Sequence, residues 1–348
     1  MANPYPSKLP VVAPPLRVVC DWDGTLTTKD TLHLVAKVAY DKQDLPLDGP
    51  ADQYRPPAVP WSKLGEVYMQ AYERHKREYQ PAATSRCTLV EERAWLASLR
   101  DVELSGVIAA EQAAIFKGVT IRDLEQGAQE AVAAGEIVMR AGWHEFLSQL
   151  ILRPHTGQRT AHTFHILSVN WSAEFIRHAI VTSWVRHAGA HRSITCSADV
   201  AEFLRRMDIT ANEISQVREL SGSDGGLRSP TREEIRTSED KLKFLHPHCR
   251  GNLDTQERMG PRADEELVVY IGDSDTDLEC LLAADIAIWI RDDPPSSAGK
   301  RLHSAVTRLN IPTKPVEELR MPGLQQPPIW IARDFHQVLS AFRAPGWL

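Results

Sequence analysis

No stretch of this chain approaches the run of about 18 apolar residues that a membrane-spanning helix needs, so no membrane partner is expected. Cysteine is scarce: Cys20, Cys87, Cys196, Cys249 and Cys280 are scattered, odd in number and form no Cys-x-x-Cys pair. That usage reads as reduced thiols in a cytosolic or similar compartment. His246, His248 and Cys249 cluster locally, but no second ligand pair accompanies them, and a loop is expected there. There is no block of Lys and Arg, and the net charge is −6, which argues against nucleic acid as a partner. The first 17 residues are Pro-rich and lack the apolar core of a secretory signal. Residues 1–16 read as a flexible tail; a cytoplasmic location is expected, with mitochondrial import as the alternative because no acidic residue precedes Asp21. What is present is ordinary for a globular protein, 43% hydrophobic and 25% charged, in 348 residues that suggest about two domains.

The most informative segment is Val18 to Thr27, VVCDWDGTLT. A short apolar run reads as a buried strand that ends in Asp21-Trp22-Asp23-Gly24-Thr25. Two carboxylates two residues apart point to the same side of an extended chain. They lie at the strand's C-terminal edge, where open α/β sheets place their ligands. Gly24 permits a sharp turn away from the sheet. Such a pair can hold a divalent cation or act as nucleophile and general acid/base. Far downstream, Leu267 to Leu282 (LVVYIGDSDTDLECLL) repeats the design: an apolar strand, Gly272 as breaker, and Asp273 at the edge. Thr276 and Glu279 fit a Ser/Thr-x-x-Asp/Glu helix start.

Asp-x-Asp-Gly-Thr after an apolar strand resembles the first motif of the haloacid dehalogenase-like superfamily of phosphohydrolases. Gly272-Asp273 with Asp277 four positions on resembles its acidic fourth motif. The resemblance implies Mg²⁺ held by the Asp21 carboxylate, the Asp23 backbone carbonyl and Asp273, with Asp277 in or next to that shell. Between the two motifs, His162 to Val169 is a strand candidate ending at Ser168, which matches the second motif. A hydroxyl there, and N–H groups of a helix starting near Ser172, can donate to phosphate. Asn170 and Trp171 lie outside the general motif and are candidates for substrate recognition. In TSEDKLKFL, Thr237 and Asp240 give a capping box that places Lys241 in the first helical turn, where it would converge on a bound phosphate. Lys243, the competitor, lies about 200° round the helix from Lys241.

Candidate strands are Arg17–Cys20, Phe164–Val169, Ile194–Ser197, Leu267–Ile271 and Ile286–Ile290. Their alternation with helical patterns suggests parallel strands with crossover helices. From Asp30 to about Arg140 the pattern differs: Trp61–Tyr79, Leu89–Ser105 and Val119–Ala134 are long amphipathic helices, and spacings such as Leu64/Val67/Tyr68 and Trp95/Leu96/Leu99 mark a packed face. The expected fold is α/β, a Rossmann-like doubly wound parallel sheet core (17–30 and 141–345) with an inserted α-helical cap domain (31–140). An insertion at this point resembles the phosphoserine phosphatase-like branch, as do the re-entry at Gly142-Trp143 with Phe146 and Leu147, and the Ala211-Asn212-Glu213-Ile214 segment before the motif lysine. The Pro-rich stretch near residue 50 and Leu302 to Pro328 read as surface-loop additions.

The resemblance implies Asp21 as nucleophile, Asp23 as general acid/base, and Ser168 and Lys241 around the phosphate of a small phosphorylated metabolite; Asn170, outside the general motif, is a further phosphate-binding candidate beside Ser168. Some plant thiamin-monophosphate phosphatases carry a Trp-containing second motif of this kind, which makes thiamin monophosphate one candidate substrate. A phosphotransferase using the same site, or a non-catalytic binding protein of the same fold, are the alternatives; the second would tolerate loss of Asp21.

Overall fold

The structure, a computed structural model, describes residues 14–152, 162–190, 197–228, 233–249, 251–252, 257–258, 266–320, 327–343 and 347–348. Most of the tail and residues 194–196 of an expected strand lie outside them.

Nine strands are described: β1 (Leu16–Cys20), β2 (Thr163–Leu167), β3 (Ile209–Thr210), β4 (Gly251–Asn252), β5 (Glu257–Arg258), β6 (Leu267–Gly272), β7 (Ile286–Ile290), β8 (Thr313–Pro315) and β9 (Ile329–Ala332). Seven form one parallel sheet in the order β3-β2-β1-β6-β7-β9-β8, while β4 and β5 make a separate antiparallel pair. Every residue of β6 and β7 is buried, as continuous apolar runs in a doubly covered parallel sheet should be. The chain runs outward from β1 to β2 and β3, then returns to β6 on the other side of β1. That reversal puts the ligand crevice at the C-terminal ends of β1 and β6.

Helices α1 (Leu32–Lys42), α2 (Trp61–Glu78), α3 (Leu89–Ser98), α4 (Arg100–Gln112) and α5 (Ile121–Ala134) lie between β1 and β2. The insertion enters and leaves as a short ribbon: Thr28 N–H donates to Val138 O at 2.9 Å, and Arg140 N–H to Leu26 O at 2.9 Å. Then come α6 (Trp143–Leu152), α7 (Ala173–Ala190), α8 (Ser197–Arg206), α9 (Ser238–Leu245), α10 (Leu278–Ala283), α11 (Ser297–Arg308) and α12 (Phe335–Arg343). Buried side chains of α1 and α5 share one apolar cluster with those of α6 and α7; Trp95 and Leu96 of α3 join a second with α9 and α10. No helix of the described residues is long and apolar enough to cross a membrane.

Four expectations are corrected. The helix expected over Leu89–Ser105 is two helices broken at Leu99, and the break lets Trp95, Leu96, Leu99 and Val102 face the same apolar cluster. Ser197 opens α8 and is not part of a strand; the edge strand is the two-residue β3. Leu302 to Pro328 is not a loop addition in its described part. It holds the end of α11 and strand β8, and it buries Leu302, Ala305, Val306, Val316 and Leu319. Spacing of i, i+3, i+4 along Leu302/Ala305/Val306 gives the physical reason. Finally, the start signal before α10 is two residues earlier than Thr276/Glu279: Asp277 Oδ2 accepts from Ser274 N–H at 3.0 Å, while Glu279 is buried against Arg93 Nε at 2.6 Å.

Within the insertion, Tyr68 of α2 donates its hydroxyl to Glu103 of α4 at 2.9 Å. Burial pushes the Glu103 carboxyl up from 4.5 to about 7, with the Tyr68 bond and the Arg236 charge opposing. The folded protein therefore binds a proton here that the unfolded chain releases near its ordinary value. Stability should fall as pH rises from about 4.5 through about 7, by at most roughly 3 kcal/mol. Glu103→Gln is expected to make the fall in urea-melt stability over that window shallower; an unchanged slope refutes it.

Candidate active site

Strand register brings the motifs together. Cys20 pairs with Ile166 of β2 and Ile271 of β6, so Asp21, Ser168 and Asp273 emerge at one sheet edge. Asp21 N–H continues the ladder to Ile271 O at 2.9 Å. Thr237 Oγ1 donates to Asp240 Oδ2 at 3.0 Å, the expected cap of α9, and the helix delivers Lys241 into the same place. Lys241 is 0% exposed, and its Nζ stands 2.7 Å from Asp277 Oδ1 and 3.0 Å from Asp21 Oδ1. Lys243 points elsewhere, to Asp240 and Glu239 on its own helix. Two glycines make room. Gly24 turns with φ +74°, and a Cβ on it would lie 2.5 Å from Asp273 Oδ2; a Cβ on Gly272 would lie 2.5 Å from Asp277 Cγ.

Asp21, Asp273 and Asp277 offer carboxylate oxygens within 4.8 Å of one another, and all three are buried. They are the one such group among the described residues. Burial drives the Asp273 carboxyl well above the carboxylate range, and the Asp277 and Asp21 charges add to this. Burial likewise raises Asp21 to about 7, against the pull of Lys241. Burial would raise Asp277 too, yet Lys241, the Tyr270 hydroxyl at 2.7 Å and the Ser274 N–H outweigh it and hold it below the usual range. For Lys241, burial would lower the ammonium, and the two carboxylates overcome it. One lysine thus faces three carboxylates.

The donor set fits a hard divalent cation: all oxygens, no His or Cys. Asp21 Oδ1 is buried, with the Lys241 ammonium 3.0 Å away. Asp277 is occupied differently: its Oδ2 accepts Asp273 N–H at 3.1 Å and Ser274 N–H at 3.0 Å while its Oδ1 serves Lys241 and Tyr270. Both Asp277 oxygens are thus engaged, one of them by the Lys241 ammonium. The Asp23 carboxylate lies outside the acidic group.

Asp23 has its own support. Its Oδ1 accepts Thr31 N–H at 2.7 Å and the Thr31 hydroxyl at 2.6 Å, and its Oδ2 accepts Asn170 Nδ2–H at 2.8 Å. Burial, aided by the Asp30 charge, pushes Asp23 up to about 8, against the Thr31 and Asn170 bonds. Trp22 Nε1–H donates to Thr31 Oγ1 at 3.0 Å and locks the corner. Asn170, expected on phosphate, spends its amide on Asp23 and Thr31. Asn212 in turn braces Asn170 and Val169 through their carbonyls at 3.1 and 3.0 Å. Ser168 is fully buried and its Oγ accepts Asn170 N–H at 3.1 Å. Trp171 meets Trp61 and Phe116 of the insertion edge-on at 6.0 and 6.1 Å.

Three residues at the site escaped the sequence reading: Thr31, Tyr270 and Arg140. Thr31 had a signal, a Thr directly before the apolar run of α1. Tyr270 reads as one more apolar strand residue. Arg140, whose guanidinium reaches the Gly24 and Thr25 carbonyls, has no local signal.

Sheet order, an insertion after the first strand and the meeting of the acidic residues with Lys241 at one sheet edge give a doubly wound α/β protein with a buried candidate site. No protein-family model matches the chain. It is 26% identical over 328 residues to a CTO1 family protein of Schizosaccharomyces pombe, covering 94% of this chain and 99% of that one. It is 24% identical over 284 residues to Cold tolerance protein 1 of Saccharomyces cerevisiae, covering 76% of this chain and 75% of that one. Among solved structures, a substrate-bound phosphoserine phosphatase complex aligns over 94% of this chain and 97% of its own, at 12% identity and a TM-score of 0.41. A phosphoserine phosphohydrolase-like protein from Francisella tularensis aligns over 93% and 98%, at 12% identity and 0.43.

Proposed function

We propose that this chain is a Mg²⁺-dependent phosphatase that hydrolyses a small organic phosphomonoester through an aspartyl-phosphate on Asp21. The observation that carries the reading is the buried meeting of Asp21, Lys241, Asp273 and Asp277, with Asp23 supported alongside. Asp21 Oδ attacks phosphorus, the bond to the ester oxygen breaks, and the Asp23 carboxyl gives that oxygen its proton. The Asp23 carboxylate then takes a proton from an entering water, which releases phosphate and restores Asp21. Lys241 offsets charge on the nucleophile and on the phosphoryl oxygens, while Ser168 and nearby N–H groups complete the cradle. Thr31 and Asn170 hold Asp23 at the leaving group. Asp21, the Asp23 backbone carbonyl and Asp273 would hold the Mg²⁺, which when bound supplies further charge stabilisation to the transferring group. Residues 31–140 act as a cap over the core, excluding bulk water.

The test is release of phosphate from p-nitrophenyl phosphate by the purified chain with Mg²⁺. Chelation with EDTA is expected to stop it, and hydroxylamine to trap an acyl-phosphate on Asp21. Release that continues in EDTA refutes the reading.

A further inference from the structure

Arg140 is the last residue of the ribbon that closes the insertion, and it is almost wholly buried. A guanidinium has five N–H donors in a rigid fork. Here each has an acceptor. Nε donates to Thr25 O at 2.8 Å; one terminal nitrogen donates to Asp292 Oδ1 at 2.6 Å and Arg333 O at 3.3 Å. The other donates to Gly24 O at 2.5 Å and to Asp292 Oδ2 at 3.3 Å. The two backbone carbonyls it grips are those of the turn directly after Asp23. On the opposite side of that turn, the Thr25 hydroxyl donates to Asp273 Oδ1 at 2.9 Å, and the Gly24 Cα lies against the Asp273 carboxylate. Asp292 and Arg333, which back the guanidinium, follow β7 and β9, so the grip ties the turn after β1 to strands two and three places along the sheet.

We propose that Arg140 is a positioning residue of the active site: it holds the Gly24–Thr25 turn so that Asp23 on one side and Asp273 on the other keep their places, and it does so from the insertion's exit strand. This rests on the phosphatase reading of the site. Its backbone N–H bonds Leu26 O at 2.9 Å, so seating of the insertion's stem and order in the catalytic turn depend on one side chain. A lysine could replace the charge but not the fork.

The test compares Arg140→Ala and Arg140→Lys with the full-length parent. Arg140→Ala is expected to lower kcat for p-nitrophenyl phosphate about 100-fold, the cost of a misplacement near 1 Å, with KM changed less than about threefold. Millimolar guanidinium should recover about tenfold of that loss, and Arg140→Lys should remain as poor as Arg140→Ala. Amide hydrogen exchange over residues 22–28 should accelerate about tenfold in Arg140→Ala with β1 unaffected. Unchanged kcat, a loss that guanidinium does not reverse, or exchange that rises throughout the sheet overturns the proposal. Should the parent release no phosphate from any ester, the phosphatase reading falls by itself. Exchange then decides: local acceleration at 22–28 supports the positioning role, and none overturns it.

Discussion

Asp21→Asn is expected to remove phosphate release from p-nitrophenyl phosphate by a factor on the order of 10⁴ or more, while the protein stays folded. The size follows from losing the attacking atom itself: an amide oxygen does not form the acyl-phosphate, and no neighbour substitutes. Asp23 is fixed by Thr31 and Asn170, and Asp277 by Lys241 and Tyr270. The fold should tolerate the change because Asn has the same shape and removing one of three crowded buried carboxylates relieves their mutual repulsion, which offsets the lost Lys241–Asp21 pair. Lys241 keeps its bond to Asp277 at 2.7 Å. Circular dichroism melts beside the assay check both halves. Full activity in a folded Asp21→Asn protein would sink the aspartyl-phosphate mechanism.

The second large effect concerns stability. Lys241→Met removes the one cation bonded between Asp21 and Asp277 in a fully buried setting. Breaking a buried ion pair from one side costs about 3–5 kcal/mol, since the partner charges keep their desolvation penalty and lose their compensation. Urea denaturation without divalent ions should show a loss of that size together with loss of phosphate release. Mg²⁺ should then raise the melting temperature of the variant, because a ligand that binds only the folded state stabilises it by mass action. A loss below about 1 kcal/mol would show that the lysine charge is not what holds the carboxylates together.

Sequence reading reached furthest where one local pattern has one physical outcome. Ile286–Ile290 is found as expected, and Leu267–Ile271 gains a single residue, because a strand buried on both faces must be a continuous apolar run. Lys241 could be separated from Lys243 because helical geometry turns them to different sides. Legibility ended where tertiary packing chose among equal local options. Ser274, not Thr276, caps the turn before α10 because Asp277 must also reach Lys241. β8, whose three residues are exposed, and the two-residue β3 carry too little apolar character to announce themselves. The break at Leu99 follows from a core shared by two helix faces.

Composition and local pattern by themselves determined the α/β class, the order of the four motifs and the residue types that meet at the sheet edge, since those depend on strand burial, helix starts and turn glycines within a few neighbours. Only the tertiary structure decided that Asn170 and Thr31 serve Asp23, that Asp277 serves Lys241, and that Arg140 grips the turn from 115 residues away. A hydrogen bond depends on distance in space, and a side chain's partner is undetermined until the sheet has brought remote segments together.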